Sequence, residues 1–181
     1  MSRSGAFVLP ETLTTTLILG GARSGKSRYA LRLAEKACAR QTFIATAEAL
    51  DDEMSERIAQ HTADRGESWT TVECPLELCR SIENACNEQS AVIVDCLTLW
   101  LSNVMHAKRD VAGETERLVQ TLNSVTTPLI LVSNEVGMGI VPQTALGRRF
   151  RDEQGRLNQR VANACTRVEF IASGLPLRLK G

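Results

Sequence analysis

Eight residues, Gly20-Gly21-Ala22-Arg23-Ser24-Gly25-Lys26-Ser27, set two glycines around four residues and follow them with Lys and Ser. That is the spacing of a phosphate-binding loop. Glycines at those points let backbone N–H groups close around phosphate oxygens, and a helix beginning there points its positive dipole end at them. In such a loop Lys26 reaches the β- and γ-phosphates and Ser27 ligates Mg²⁺. Phosphoryl transfer needs a phosphate cradle, a metal and positioned charge more than it needs covalent help from the protein. Asp95 closes the run Ala91-Val92-Ile93-Val94-Asp95, the form of a buried strand whose carboxylate emerges at its end as a second metal-holding group. Glu135 is open to two readings: it orients a nucleophile or joins the metal shell, or it caps a backbone turn.

His61 follows Met54 and Ile58 at helical spacing, with Arg57 one turn before it and Arg65 one turn after. The arginines suit a face that meets phosphates. From spacing alone His61 is either a packed helix residue or a nucleophile. His106, the other histidine, reads as a surface residue beside a polar break.

The elements that position these groups alternate. Leu13 to Leu19 is a β-branched and aliphatic strand, and a helix runs on from Arg28 to about Arg40. Thr42 to Thr46 is a short buried strand. Asp51, Asp52 and Glu53 then suit the start of a second helix. Ser68 to Glu73 alternates as a strand, Leu76 to Cys86 is helical, and Ala91 to Asp95 is the next strand. A helix spans Leu97 to Ala107, a polar break Lys108 to Gly113, and a further helix Glu114 to Val125. Pro128 to Ser133 is a core strand leading into the loop Asn134 to Pro142, followed by a long basic helix from Thr144 to Ala164. Arg167 to Ala172 and Leu175 to Leu179 are strands joined tightly by Ser173-Gly174, hence antiparallel. The order predicts an α/β fold: a mostly parallel sheet of about seven strands, covered on both faces, with an antiparallel C-terminal edge. Ligands in such folds gather outside the carboxyl ends of the strands. Gly20 to Ser27, Thr46, Glu73, Asp95 and Asn134-Glu135 all fall there.

With 181 residues, 43% hydrophobic and 23% charged, the chain reads as one globular domain over residues 13–181 behind a flexible tail, 1–12. Lys plus Arg equals Asp plus Glu, which argues against a nucleic-acid partner. Six cysteines show no C-x-x-C pair and suit small buried hydrophobes in a reducing compartment. The apolar run Ala6 to Leu9 is cut by Pro10 and Glu11, far short of a signal core, and no stretch reaches the length of a membrane span. The expectation is a cytoplasmic protein.

The phosphate loop with Arg28, Ile44-Ala45-Thr46-Ala47, Asp51-Asp52-Glu53-Met54, Arg57-Ile58 with His61, Trp69 to Glu73, and Asn134 to Pro142 together carry a family resemblance. Arg149-Phe150-Arg151-Asp152 and Asn158-Gln159-Arg160 extend it. The chain resembles the bifunctional adenosylcobinamide kinase/adenosylcobinamide-phosphate guanylyltransferases of cobalamin biosynthesis over nearly all its length after Leu13. The resemblance implies a three-layer, RecA-like phosphate-loop fold, a homo-oligomer, commonly a trimer, and ATP and GTP as substrates with Mg²⁺. It implies two steps, phosphorylation of adenosylcobinamide and then transfer of GMP through an enzyme histidine, which falls on His61. Its nucleotide-binding positions fall on Gly20, Gly21, Ala22, Arg23, Ser24, Gly25, Lys26 and Ser27, on Ala45, Thr46 and Ala47, on Thr62, Ala63, Asp64 and Arg65, and on Glu73 and Asp95. Two other readings stay open on the residues alone: a single-function small-molecule kinase, and a regulatory nucleotide-binding module in which Asn134 to Pro142 is a switch loop.

Overall fold

A computed structural model of the chain describes residues 15–47, 68–86 and 90–181. The tail 1–12 and the helix expected from Asp51 lie outside the described residues. Seven strands form one sheet in the order β3-β2-β4-β5-β1-β6-β7. The strands are β1 (Thr15–Gly20), β2 (Gln41–Ala45), β3 (Trp69–Glu73), β4 (Ala91–Asp95), β5 (Leu129–Asn134), β6 (Arg167–Ala172) and β7 (Leu175–Lys180). β1 to β6 are mutually parallel and β7 runs antiparallel to β6, as the turn residues predict. The described helices are α1 (Lys26–Ala37), α2 (Leu78–Ala85), α3 (Leu97–His106), α4 (Val111–Ser124) and α5 (Ala145–Ala164).

The core divides by strand alternation, because successive side chains on a strand face opposite sides. Leu17, Ile44, Val92, Val94, Leu129, Leu131 and Val168 pack against α2 to α5. Ile18, Phe43, Ile93, Ile130, Val132 and Ile171 face the other way, where Ala30 and Ala34 of α1 meet them. A central parallel strand therefore needs apolar residues at every position, which is why β4 and β5 read as unbroken hydrophobic runs. No described helix is long and apolar enough to cross a membrane.

Two boundaries differ from the sequence reading by about three residues. The polar break expected at Lys108 to Gly113 is shorter, since α4 begins at Val111. Asp110 is its N-cap and accepts from the Ala112 N–H at 3.1 Å. Gly113 leaves room for that cap, since a Cβ there would lie 2.6 Å from Asp110 Oδ2. The polar residues that look like a break are thus the start of a helix. The first helix stops at Ala37 rather than near Arg40, where the Gln41 side-chain amide donates to the Cys38 carbonyl at 2.5 Å.

Candidate active site

Parallel pairing brings the carboxyl ends of β1 to β6 to one edge. Glu73, Ala45 and Asp95 are register partners across β3, β2 and β4. Asp95 is level with Val132 of β5, and Asn134, two residues further on, is level with Gly20 of β1. β5 thus separates the strand that leads into the phosphate loop from the strand that ends in Asp95. With strands about 4.8 Å apart, the Asp95 backbone stands about 10 Å from the phosphate-loop strand and Glu73 about 19 Å. The sequence-derived positions form a row, with Lys26 and Ser27 at one end and the exposed Glu73 at the other.

The loop between β1 and α1 is fixed by its own backbone. Ser24 N–H donates to the Gly21 carbonyl at 3.3 Å, Tyr29 N–H to Gly25 at 3.0 Å, and Gly174 N–H to Ser24 at 2.8 Å. Gly25 has φ 95°, a conformation that favours glycine, and the β6–β7 turn is packed beneath it, with Gly174 Cα 3.3 Å from where a Cβ would stand. A Cβ on Gly20 would lie 2.6 Å from Ser24 Oγ and 2.7 Å from the Ile171 carbonyl. A Cβ on Gly21 would meet nothing within 4 Å, so the space over that peptide is open. Buried Lys26 donates from Nζ to the Gly21 carbonyl at 3.0 Å, and half-buried Ser27 follows in the first turn of α1.

The neighbouring strand ends are clamped by polar side chains, of which the sequence reading named Thr46 as a nucleotide-binding position and Asn158 within the family resemblance, but none as a clamp. Thr46, fully buried, donates to the Cys96 carbonyl and accepts from the Cys96 N–H, both at 2.8 Å. Its hydroxyl holds β2 to the residue after Asp95. On α3, Asn103 donates to the carbonyls of Thr46 (2.9 Å) and Pro75 (3.1 Å). Trp100 Nε1 donates to Leu76 at 3.0 Å, and the Thr98 hydroxyl accepts from Asn134 N–H at 2.8 Å. α5, on the same face of the sheet as α3, also holds the end of β5: Ser133 donates to Asn158 Oδ1 at 2.7 Å, Gln154 to both at 3.0 Å, and Asn158 Nδ2 to the Asn134 carbonyl at 3.0 Å. The only sequence signal for Thr98 and Asn103 is polarity on an otherwise apolar helix. Gln154 and Asn158 stand four apart in a helix polar nearly throughout, which hides them.

Beyond β5 the chain turns outward. Glu135 N–H donates to the Gly20 carbonyl at 3.1 Å, and its carboxylate accepts from Gly137 N–H at 2.5 Å. Of the two roles open to it, the structure has the turn cap. His61 and Thr62 to Arg65 lie outside the described residues. His106 is exposed, as expected, with its ring 2.8 Å from the Ser102 carbonyl. Burial, with Asp95 beside it, pushes the Cys96 thiol up to about 11, so it is protonated at neutral pH.

The model of the cobinamide kinase / cobinamide phosphate guanyltransferase family matches residues 16–179. The bifunctional adenosylcobalamin biosynthesis protein CobP of Pseudomonas aeruginosa is 47% identical over 167 residues, covering 91% of this chain and 96% of that protein. The bifunctional adenosylcobalamin biosynthesis protein CobU of Salmonella typhimurium is 37% identical over 179 residues, covering 91% and 98%. Among solved structures, the flagellar accessory protein FlaH from Methanocaldococcus jannaschii superposes with a TM-score of 0.54 at 11% identity, over 93% of this chain and 79% of that one. That likeness concerns the fold alone, a mostly parallel sheet covered on both faces.

Proposed function

The chain belongs to the cobinamide kinase / cobinamide phosphate guanyltransferase family, and from that premise we propose that it performs two consecutive transfers on adenosylcobinamide. In the first, the aminopropanol hydroxyl of the acceptor attacks the γ-phosphorus of a nucleoside triphosphate. An O–P bond forms, the β–γ bridge breaks, the hydroxyl proton leaves and the nucleoside diphosphate departs. In the second, the His61 imidazole attacks the α-phosphorus of GTP, forming a P–N bond and releasing pyrophosphate. A phosphate oxygen of adenosylcobinamide phosphate then takes GMP from His61, giving adenosylcobinamide-GDP and the free imidazole. A neutral imidazole is a competent nucleophile, and the phosphoramidate splits one hard transfer into two easier ones.

The observation that carries this reading is the single row of groups along the carboxyl edge, from the closed phosphate loop through Asp95 and Ala45-Thr46-Ala47 to Glu73. Lys26 lies against the loop carbonyl of Gly21, where a triphosphate would compete for its ammonium. The Ser27 hydroxyl and the Asp95 carboxylate are hard oxygen donors of the kind Mg²⁺ takes. Bound there, the metal would offset charge on the β- and γ-oxygens. A reducing cytoplasm suits the six cysteines, and a homo-oligomer acting on small molecules completes the reading.

The deciding experiment is incubation of the protein with α-labelled GTP and Mg²⁺, alongside His61→Ala and His106→Ala. Acid-labile, alkali-stable label on the protein, lost in His61→Ala and kept in His106→Ala, is the expected result. A wild-type protein that phosphorylates cobinamide yet takes no label would reduce the function to a kinase.

A further inference from the structure

The segment from β5 into α5 combines a fixed frame with large exposed apolar side chains. Met138 is 82% exposed, Ile140 98% and Val141 58%, and Leu146 in the first turn of α5 is 62% exposed. Large apolar groups gathered so closely at the surface mark an interaction site more often than chance scatter does. The frame is built at both ends. At the start, Glu135 caps Gly137 and its N–H is tied to Gly20, the first residue of the phosphate loop. At the finish, Arg148 donates to the carbonyls of Pro142 (3.0 Å) and Gln143 (2.7 Å), and Thr144 caps α5 through Gly147 N–H at 3.1 Å.

We infer that this apolar loop is the docking face for the corrinoid acceptor; the inference rests on the function proposed above. Two observations select that occupant. The loop issues from the strand between the phosphate loop and Asp95, so a ligand lying on it has its pendant hydroxyl beside the transferred phosphate. Charge agrees as well: the acceptor gains a phosphate in the first step, and Leu146 and Arg149 share one side of α5, three residues apart. Arg148 is committed to loop carbonyls and Arg151 is paired with Asp152 at 3.0 Å, which leaves exposed Arg149 as the cation of that turn. A second copy of the chain has another apolar surface to use, since Leu175, Leu177 and Leu179 of edge strand β7 are 72%, 59% and 57% exposed.

The test is steady-state kinetics of the full chain with Met138→Ser/Ile140→Ser, Arg149→Ala and, as a control on the edge strand, Leu177→Ser. Labelling by α-labelled GTP and nucleotide KM, neither of which uses the acceptor face, report an intact fold and nucleotide site, and light scattering reports assembly at the assay concentration. The double variant should raise the KM for cobinamide roughly tenfold, with kcat, nucleotide KM, labelling and assembly unchanged. Arg149→Ala should raise the KM for cobinamide phosphate in the second step several-fold more than that for cobinamide in the first. Leu177→Ser should move neither acceptor constant. An unchanged cobinamide KM in the double variant overturns the inference, and so does a rise that appears only together with loss of assembly, which would give the face to a second copy. A wild-type protein that binds nucleotide but turns over no cobinamide overturns instead the function on which the inference stands, and the inference with it.

Discussion

The two segments that flank the catalytic edge, residues 20–27 and residues 135–146, are built on opposite plans. In the phosphate loop the backbone is committed: its carbonyls accept from Ser24, Tyr29, Gly174 and Lys26, and at Gly20 there is no space for even a methyl group. In the loop after β5 the backbone is tied at the ends, and its large apolar side chains are exposed. The difference fits the two ligands proposed for these segments. Phosphate is small, identical in every nucleotide and recognised by N–H groups, so the chain itself must hold the geometry. A bulky acceptor is recognised by area, so side chains carry the contact and the backbone only presents them.

The largest expected effect breaks the closed segment. Gly20→Ala drives a Cβ onto the Ile171 carbonyl, which cannot rotate away as Ser24 Oγ can. Overpacking of this kind costs about 1–3 kcal/mol, and the loop must shift, so triphosphate affinity should fall by about a hundredfold or more. Gly21→Ala separates fold from function, because its Cβ meets only open space. Stability should stay within about 0.5 kcal/mol while triphosphate affinity drops at least about tenfold. Chemical denaturation and nucleotide titration of the two variants read both quantities. Wild-type affinity in Gly21→Ala would mean that phosphate does not lie over that peptide.

Next in size is the joint between the two segments. Asn158 accepts from Ser133 and Gln154 and donates to the Asn134 carbonyl, all beneath the surface. Asn158→Leu strands those partners, with Gln154 fully buried, and buried polar groups left unpaired cost about 1–3 kcal/mol each. A loss of about 2–3 kcal/mol in denaturant stability is expected. Because Asn134 leads directly into Glu135, kcat should fall as well, and Asn158→Gln should restore neither, the longer amide missing the same carbonyl. Stability that stayed within about 0.5 kcal/mol of wild type would show that β5 is held by its strand pairing alone.

How much of this was legible in the sequence divides along the same line. The phosphate loop was legible because its glycines are demanded by the backbone and therefore fixed in spacing. β4 and β5 were legible because a parallel strand covered on both faces needs apolar residues throughout. Asp110 and Gly113 were misread as a break because a helix cap and a loop use the same residue types, and only the bond from Ala112 N–H distinguishes them. The clamps at Thr46, Thr98, Asn103, Gln154 and Asn158 were not legible: their partners lie 21 to 57 residues away, and a polar side chain does not announce a distant carbonyl. His61, the proposed nucleophile, stands on the family resemblance and on the labelling experiment.

The smallest effect asks how far the closure of the phosphate-loop strand extends. At its amino end Thr15 and Thr166 exchange bonds at 2.8 to 3.3 Å. Lys180 caps the end of α5 by donating to Ala162, Asn163 and Cys165. Beneath them Cys165 is 1% exposed, and burial pushes its thiol from 9.0 up to about 12, against a smaller opposing pull from Lys180. Folding therefore holds a proton that the unfolded chain releases above pH 9. The contribution is complete below that pH and is lost as pH rises toward 12, with stability falling because the native state binds more protons. Between pH 8.5 and 10 wild-type protein should lose about 1 kcal/mol more than Cys165→Ala, read as the difference in their urea midpoints at the two pH values. Ala removes the thiol but not the other alkaline titrations, so they cancel in that difference. Parallel alkaline limbs would mean that water reaches the amino end of β1, and the strand would then be closed only where it meets phosphate.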